Sequence, residues 1–308
     1  MYISDKVIVW SLSGGSVKFV ALVRGAKVSI AYGRKPHVIV GVSAGALLAP
    51  IIALAYQDPC ILEEAIELAE TLDMTDMFPI KGNKPFTEKG NIAPGAYLRV
   101  VTGWNHLGWQ DIAPLYKKVM TEERFKLFKK TDINCWAFGV KGRNMSPKPV
   151  LLNNASSVDE LIQMIELSSR MTPLVQPAPY KGDTYVDGGF ISHSAFWWIK
   201  DKYNVEELIT FYTSEYSEEI SDNSNWDKSL FTVVMQLLLG TTHWLSMHGR
   251  DLEELYCHKH NIKHMRMEFP GHIIDEIYDT DDEQLKALGD ISEEIAVEAW
   301  ELYNGILN

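Results

Sequence analysis

Cysteine is scarce in this chain. Only Cys60, Cys135 and Cys257 occur in 308 residues, and no two of them form a Cys-x-x-Cys pair. That excludes a disulfide framework and fits free thiols in a reducing compartment. Positive charge is short as well: 29 Lys and Arg stand against 41 Asp and Glu, a net charge of −12. A surface of that sign repels phosphate backbones and no basic stripe offsets it, so nucleic acid is not an expected partner. No basic leader or small-residue cleavage site precedes the first strand pattern, since Met1 to Asp5 run straight into Lys6-Val-Ile-Val-Trp-Ser-Leu12. Secretion is therefore not expected; a cytoplasmic location with transient contact at a membrane surface is. Internal repeats and low-complexity tracts are absent too.

One run lacks charge altogether. Ser229 to Gly249 contains no Lys, Arg, Asp or Glu and has the length of a bilayer span. Gln236, Gly240, Thr241, Thr242, His243 and His248 dilute it, so a buried helix or one lining a lipid-sized cleft is expected instead.

The most informative stretch is His37-Val-Ile-Val-Gly-Val-Ser43-Ala-Gly45. Val38 to Val40 suit a buried strand, and Ala44 to Leu54 suit a buried helix, which leaves Ser43 at the turn between them. Such a turn is strained. Glycines two residues to either side remove the Cβ atoms that would clash where strand and helix cross. The helix N-terminus favours negative charge beside the hydroxyl, which suits a nucleophile.

With 46% hydrophobic residues the chain can fill one large core, and one domain over residues 1–308 is expected. The first fifty residues read strand, glycine turn, helix, strand, elbow, helix, the start of a right-handed parallel α/β sheet. From about 59 to 130 the pattern turns helical (Ile61 to Leu72, Ile112 to Lys129), as in an insertion or cap. Strands resume at Ile133 to Lys141 and Pro149 to Leu152, then a helix from Val158 to about Ser169. After Asp183-Thr-Tyr-Val-Asp187-Gly-Gly189 come strands at Glu206 to Tyr212 and Met265 to Phe269. A helical C-terminal extension begins near 225 and closes with a helix from Ser292 to Tyr303.

Serine needs a base. Asp187 is the candidate, at the end of a short apolar strand and before two glycines that let its turn approach another loop. The plain alternative is an ordinary Asp-Gly-Gly turn. The first glycine loop, Leu12-Ser-Gly-Gly-Ser-Val-Lys18, offers amides for an oxyanion hole; its spacing matches neither a P-loop nor a Gly-x-Gly-x-x-Gly fingerprint.

Together these pieces resemble the patatin-like phospholipase family. In that family's order, Ser13-Gly-Gly-Ser-Val-Lys18 looks like its oxyanion loop, Gly41-Val-Ser43-Ala-Gly45 its elbow, and Asp187-Gly-Gly189 its Asp-Gly-Gly motif. Ser168-Ser-Arg-Met-Thr-Pro173 is similar to the segment before that motif. The resemblance implies a three-layer α/β/α sandwich with a mostly parallel sheet and a helical insertion. It implies a lipid acyl hydrolase of the phospholipase A or lysophospholipase type, acting through a Ser43–Asp187 dyad and an acyl-enzyme, with no cofactor and no metal. Gly14, Gly15 and Ser16 would hold the oxyanion, and the partner would be a phospholipid or other acyl-ester lipid. Two positions depart from the pattern: Ser16 replaces a third glycine and Phe19 a last one, while Lys18 keeps the basic position.

Other readings compete. A histidine-dependent α/β-hydrolase is one, because His193, His243, His248, His258, His260, His264 and His272 all follow Asp187. Against it, only one strand precedes the strand that carries the elbow. A catalytically impaired lipid- or protein-binding member of the same fold is another. A zinc site from Cys257, His258, His260 and His264 has no familiar ligand spacing. Asp279-Thr-Asp-Asp-Glu283 invites calcium, but Thr280 with Glu283 makes a capping box.

Overall fold

A computed structural model describes residues 5–15, 18–71, 112–142, 144–170, 176–213, 248–270 and 282–307. β1 (Lys6–Leu12) is apolar on both faces, as a strand covered on both sides must be: Val7 and Val9 enter one core, Trp10 and Leu12 the other. α1 (Phe19–Ala31), β2 (Val38–Gly41) and α2 (Ala44–Ala55) follow at the expected positions. β2 pairs parallel with β1, Val9 opposite Val38 through Leu12 opposite Gly41. α3 (Cys60–Glu70) comes next; then α4 (Ala113–Val119) and α5 (Glu122–Phe128) stand where a single helix was expected. The break has a local cause. Thr121 is extended and its hydroxyl accepts from Arg124 N–H, so it starts a new helix instead of continuing the old one.

β3 (Asn134–Lys141) pairs parallel with β2, and β4 (Ser146–Leu151) runs antiparallel along its other edge. α6 (Val158–Ser169) is capped by the Ser157 hydroxyl. β5 (Ala178–Tyr180), which no sequence signal marked, and β6 (Asp183–Asp187) are antiparallel. β7 (Asn204–Thr213) and β8 (Lys263–Phe269) extend the sheet parallel to β1. The order is β5-β6-β3-β2-β1-β7-β8, with β4 on β3. One face is covered by α1, α2 and α3, the other by the short turns at 196–202 and a helical stretch over 248–259. The result is a mixed, mostly parallel sheet between helical layers, the expected α/β/α architecture.

The last helix, α7 (Asp282–Leu307), is one element where a start near 283 and a closing helix from Ser292 were expected. Buried Leu285 and Leu288 carry its apolar stripe through Gly289 into buried Ala296 and Trp300. Arg24 ties α1 to α3 and α7 through Glu70 and Glu293, the latter at 2.7 Å. Trp300 Nε1 donates to Ser29 Oγ at 2.9 Å inside the core. Trp300→Phe loses that bond and leaves a gap where the second ring stood in a fully buried site, so a cost of roughly 2–3 kcal/mol is expected in urea unfolding, at unchanged m. Residues 72–111 of the helical insertion, and residues 214–247 and 271–281 further on, lie outside the described residues. Among the described residues no helix is long and apolar enough to cross a membrane.

Candidate active site

Ser43 follows β2 and is the N-cap of α2, with φ 52° and ψ −118°. A residue with a Cβ is strained there, at a cost on the order of 1–3 kcal/mol, and stays only because its surroundings fix it. The glycines supply the first constraint. A Cβ on Gly41 would lie 2.2 Å from the carbonyl carbon and oxygen of Gly45, and one on Gly45 would lie 2.4 Å from Leu12 O. Strand, turn and helix therefore touch backbone to backbone. Hydrogen bonds supply the second: Val42 N–H donates to Leu12 O at 3.0 Å, and Ser43 N–H to both Ser168 O at 3.1 Å and Ser168 Oγ at 2.9 Å. The Ser168 hydroxyl in turn donates to Phe138 O. Ser168→Ala removes the hydroxyl donor to Phe138 O and one of two acceptors of Ser43 N–H, which keeps Ser168 O, and a loss of about 1 kcal/mol is expected in thermal unfolding.

The glycine loop leaves β1 directly beside this turn. A Cβ on Gly14 would lie 3.2 Å from the Ser43 Cβ. Thr213 at the end of β7 pins the loop: its N–H donates to Ser13 Oγ at 3.1 Å and its hydroxyl to Gly14 O at 2.7 Å. A Cβ on Gly15 would meet Thr213 Oγ1 at 2.5 Å, so the loop has no space for a side chain there. Among the described residues nothing accepts from the N–H of Gly14 or Gly15. Ser16 lies outside the described residues; Lys18, just after it, is buried.

Asp187 reaches the same place through the sheet. β2 and β6 both lie on the edge of β3 opposite β4, since each shares β3 residues with β4. Gly41 stands opposite Ala137 and Asp187 opposite Gly139, so the two strand ends face each other about 7 Å apart along that edge. The end of α6 holds both: Ser168 binds Ser43 N–H, and Arg170 O accepts from Asp187 N–H at 2.9 Å. Asp187 is 4% exposed, and its carboxylate accepts from Gly189 N–H at 2.7 Å, so the ordinary-turn reading is also met.

Sequence reasoning gave His193 no special place among the histidines, yet its ring is part of this site. Nδ1 lies 3.6 Å from where a Cβ on Gly14 would stand, and Cε1 and Nε2 lie 3.7 Å from the equivalent point on Gly189, itself 3.1 Å from Asp187 Oδ1. The ring is nearly buried between the serine side and the aspartate side. Its loop is fixed by the fully buried Glu253, which accepts from the Ser194 hydroxyl and, at 2.9 Å, from Thr210 Oγ1. The signal available in sequence was only the closeness of His193 to Asp187.

The other candidates disperse. His258 and His260 are exposed, while Cys257 is buried with its thiol pushed up to about 12 by burial, which disfavours the thiolate a metal needs. Among the described residues no group of three or more His, Cys, Asp or Glu is placed to hold a metal ion. His243, His272 and Asp279 to Asp281 lie outside the described residues. Phe196 is fully buried and Trp198 stacks on Phe138 with ring centroids 5.0 Å apart, so these aromatics pack into the core.

A serine on a strained strand-to-helix turn beside a glycine loop, on a mostly parallel sheet, has the geometry of an elbow of the Gly-x-Ser-x-Gly kind. Comparison carries this further: a family model described as patatin-like phospholipase matches residues 11–197, more than half of the chain. The chain belongs to the patatin-like phospholipase family, whose general activity is lipid acyl hydrolysis. The crystal structure of VipD from Legionella pneumophila is similar to it, with a TM-score of 0.52 and 12% identity over 98% of this chain and 68% of that one. At that identity the likeness concerns the fold. No curated protein matches the chain.

Proposed function

We propose that the protein hydrolyses carboxylic esters of lipids through Ser43 and Asp187. The observation that carries this reading is the strained backbone of Ser43 at φ 52°, held beside a loop whose amides at Gly14 and Gly15 have no other acceptor among the described residues. Ser43 Oγ attacks the ester carbonyl and passes its proton to Asp187. The amides of Gly14, Gly15 and Ser16 take the oxyanion; each well-aimed donor of this kind is worth roughly a hundred- to a thousandfold in rate. The carbonyl re-forms, the alkoxide leaves with the proton from Asp187, and Ser43 carries the acyl group. Water then attacks, giving its proton to Asp187, and Ser43 Oγ recovers it as the acid departs. No step calls for a metal or a cofactor. Phospholipid or lysophospholipid is the substrate class, met at a membrane surface by a cytoplasmic protein.

The position of His193 favours a second reading, a Ser43–His193–Asp187 triad in which the imidazole takes the serine proton. Fluorophosphonate labelling with the ester-hydrolysis rate separates the two. If the dyad operates, His193→Asn still labels and turns over within about tenfold of the native protein. A loss as deep as that of Ser43→Ala assigns the proton to His193. A native protein that neither labels nor cleaves any acyl ester sinks both readings and leaves a binding role.

A further inference from the structure

Glu253, from the helical stretch over 248–259, is fully buried, and among the described residues it forms no ion pair with Lys or Arg. A carboxyl group is held in a core only where its oxygens are met. Oε2 accepts from the Ser194 hydroxyl and Oε1 from Thr210 Oγ1 at 2.9 Å, while the Tyr212 hydroxyl lies 3.4 Å from both oxygens and His264 Nε2 3.4 Å from Oε1. Two of these partners belong to β7. The residue after Tyr212 is Thr213, which pins the glycine loop, so Glu253 fastens the loop of Ser194 to the strand that also fixes the oxyanion loop.

The other end of that loop is tied beside Asp187. Ile191 N–H and Ser192 N–H both donate to Gly188 O, at 3.0 and 3.1 Å, and the Ser192 hydroxyl accepts from Ser194 N–H at 3.1 Å and donates to Ser194 O at 3.0 Å. His193 stands between the two anchors. Among the described residues its ring makes no hydrogen bond of its own, so the backbone of 192–194 aims it.

We propose that Glu253 is a positioning residue for the reaction, holding the His193 ring between the glycine loop and Asp187 through the Ser194 hydroxyl. The proposal rests on Ser43 as the nucleophile and holds for either role of His193. A ring acting as base must reach Ser43, and a ring acting as wall must keep the space between Gly14 and Gly189 closed; a misplacement of about 1 Å harms both. Glu253, Thr210 and Tyr212 lie beyond residue 197, where the family match ends. The three motifs alone therefore do not complete the site.

Glu253→Gln keeps the shape of the side chain and removes one of its two acceptor oxygens. With p-nitrophenyl butyrate, its kcat per fluorophosphonate-labelled serine is expected to fall about fivefold with KM within about twofold of native, and in a His193→Asn background the same substitution is expected to change kcat by less than about twofold. Ser194→Ala removes only the donor; it is expected to reproduce the fall and serves if Glu253→Gln does not fold. Where His193→Asn is itself inactive, the imidazole NMR signals it identifies decide, and they are expected to move in both variants. Equal falls in the native and His193→Asn backgrounds, an unchanged kcat, or unmoved imidazole signals overturn the positioning role alone. Failure of the native protein to label overturns the nucleophile assignment on which it stands.

Discussion

Ser43→Gly is expected to be inactive and more stable than the native protein. Activity goes because no hydroxyl remains to form the acyl-enzyme, a loss of roughly a thousandfold or more against soluble esters. Stability rises, by about 1 kcal/mol, because φ 52° and ψ −118° cost a residue with a Cβ and cost glycine little. Nothing is lost at the helix start, since Ser43 makes no side-chain capping bond. Ser43→Ala is expected to be equally inactive without that gain. Asp187→Asn keeps the acceptor for Gly189 N–H and removes the base, so a fall of roughly a hundred- to ten-thousandfold at nearly unchanged melting temperature is expected. An inactive, less stable Ser43→Gly would mean that the turn is not under strain.

Gly41→Ala is expected to be severely damaging for a single added methyl. The new carbon would stand 2.2 Å from two backbone atoms of Gly45 and 2.5 Å from Ala46 N, and backbone cannot rotate aside as a side chain can. Either β2 and α2 separate, which opens the core around Ile39 and Leu48, or Ser43 leaves its position. A destabilisation of roughly 4 kcal/mol or more is expected, with loss of labelling even in the fraction that stays folded. Gly305→Ala is the control: helical, with nothing within 4 Å of the added carbon, it is expected to be neutral or to gain up to about 1 kcal/mol. Urea midpoints at equal m values decide both.

How far the sequence could be read depended on whether local chemistry or tertiary pairing set each feature. β1, α1, β2 and α2 were legible nearly to the residue, because glycine turns punctuate apolar runs too short to be anything else. The convergence of Ser43 and Asp187 was legible only as a resemblance. What brings them together is the sharing of one β3 edge by β2 and β6, a pairing between residues far apart in sequence. The clamp at Ser168 and Arg170 was invisible for the same reason, since a hydroxyl and a carbonyl at a helix end give no hint of which distant amides they hold. β5 is three residues long and carries no alternation to detect. The uncharged run Ser229 to Gly249, expected as a buried helix or one lining a lipid-sized cleft, lies outside the described residues up to 247.

The central claim is that Ser43 is the nucleophile. Peptide mapping by mass spectrometry after treatment with a fluorophosphonate tests it most directly. The expected result is one adduct per chain, on the peptide containing Ser43, absent from Ser43→Ala and suppressed in Asp187→Asn. An adduct on another serine, or ester hydrolysis that persists in Ser43→Ala, would contradict it.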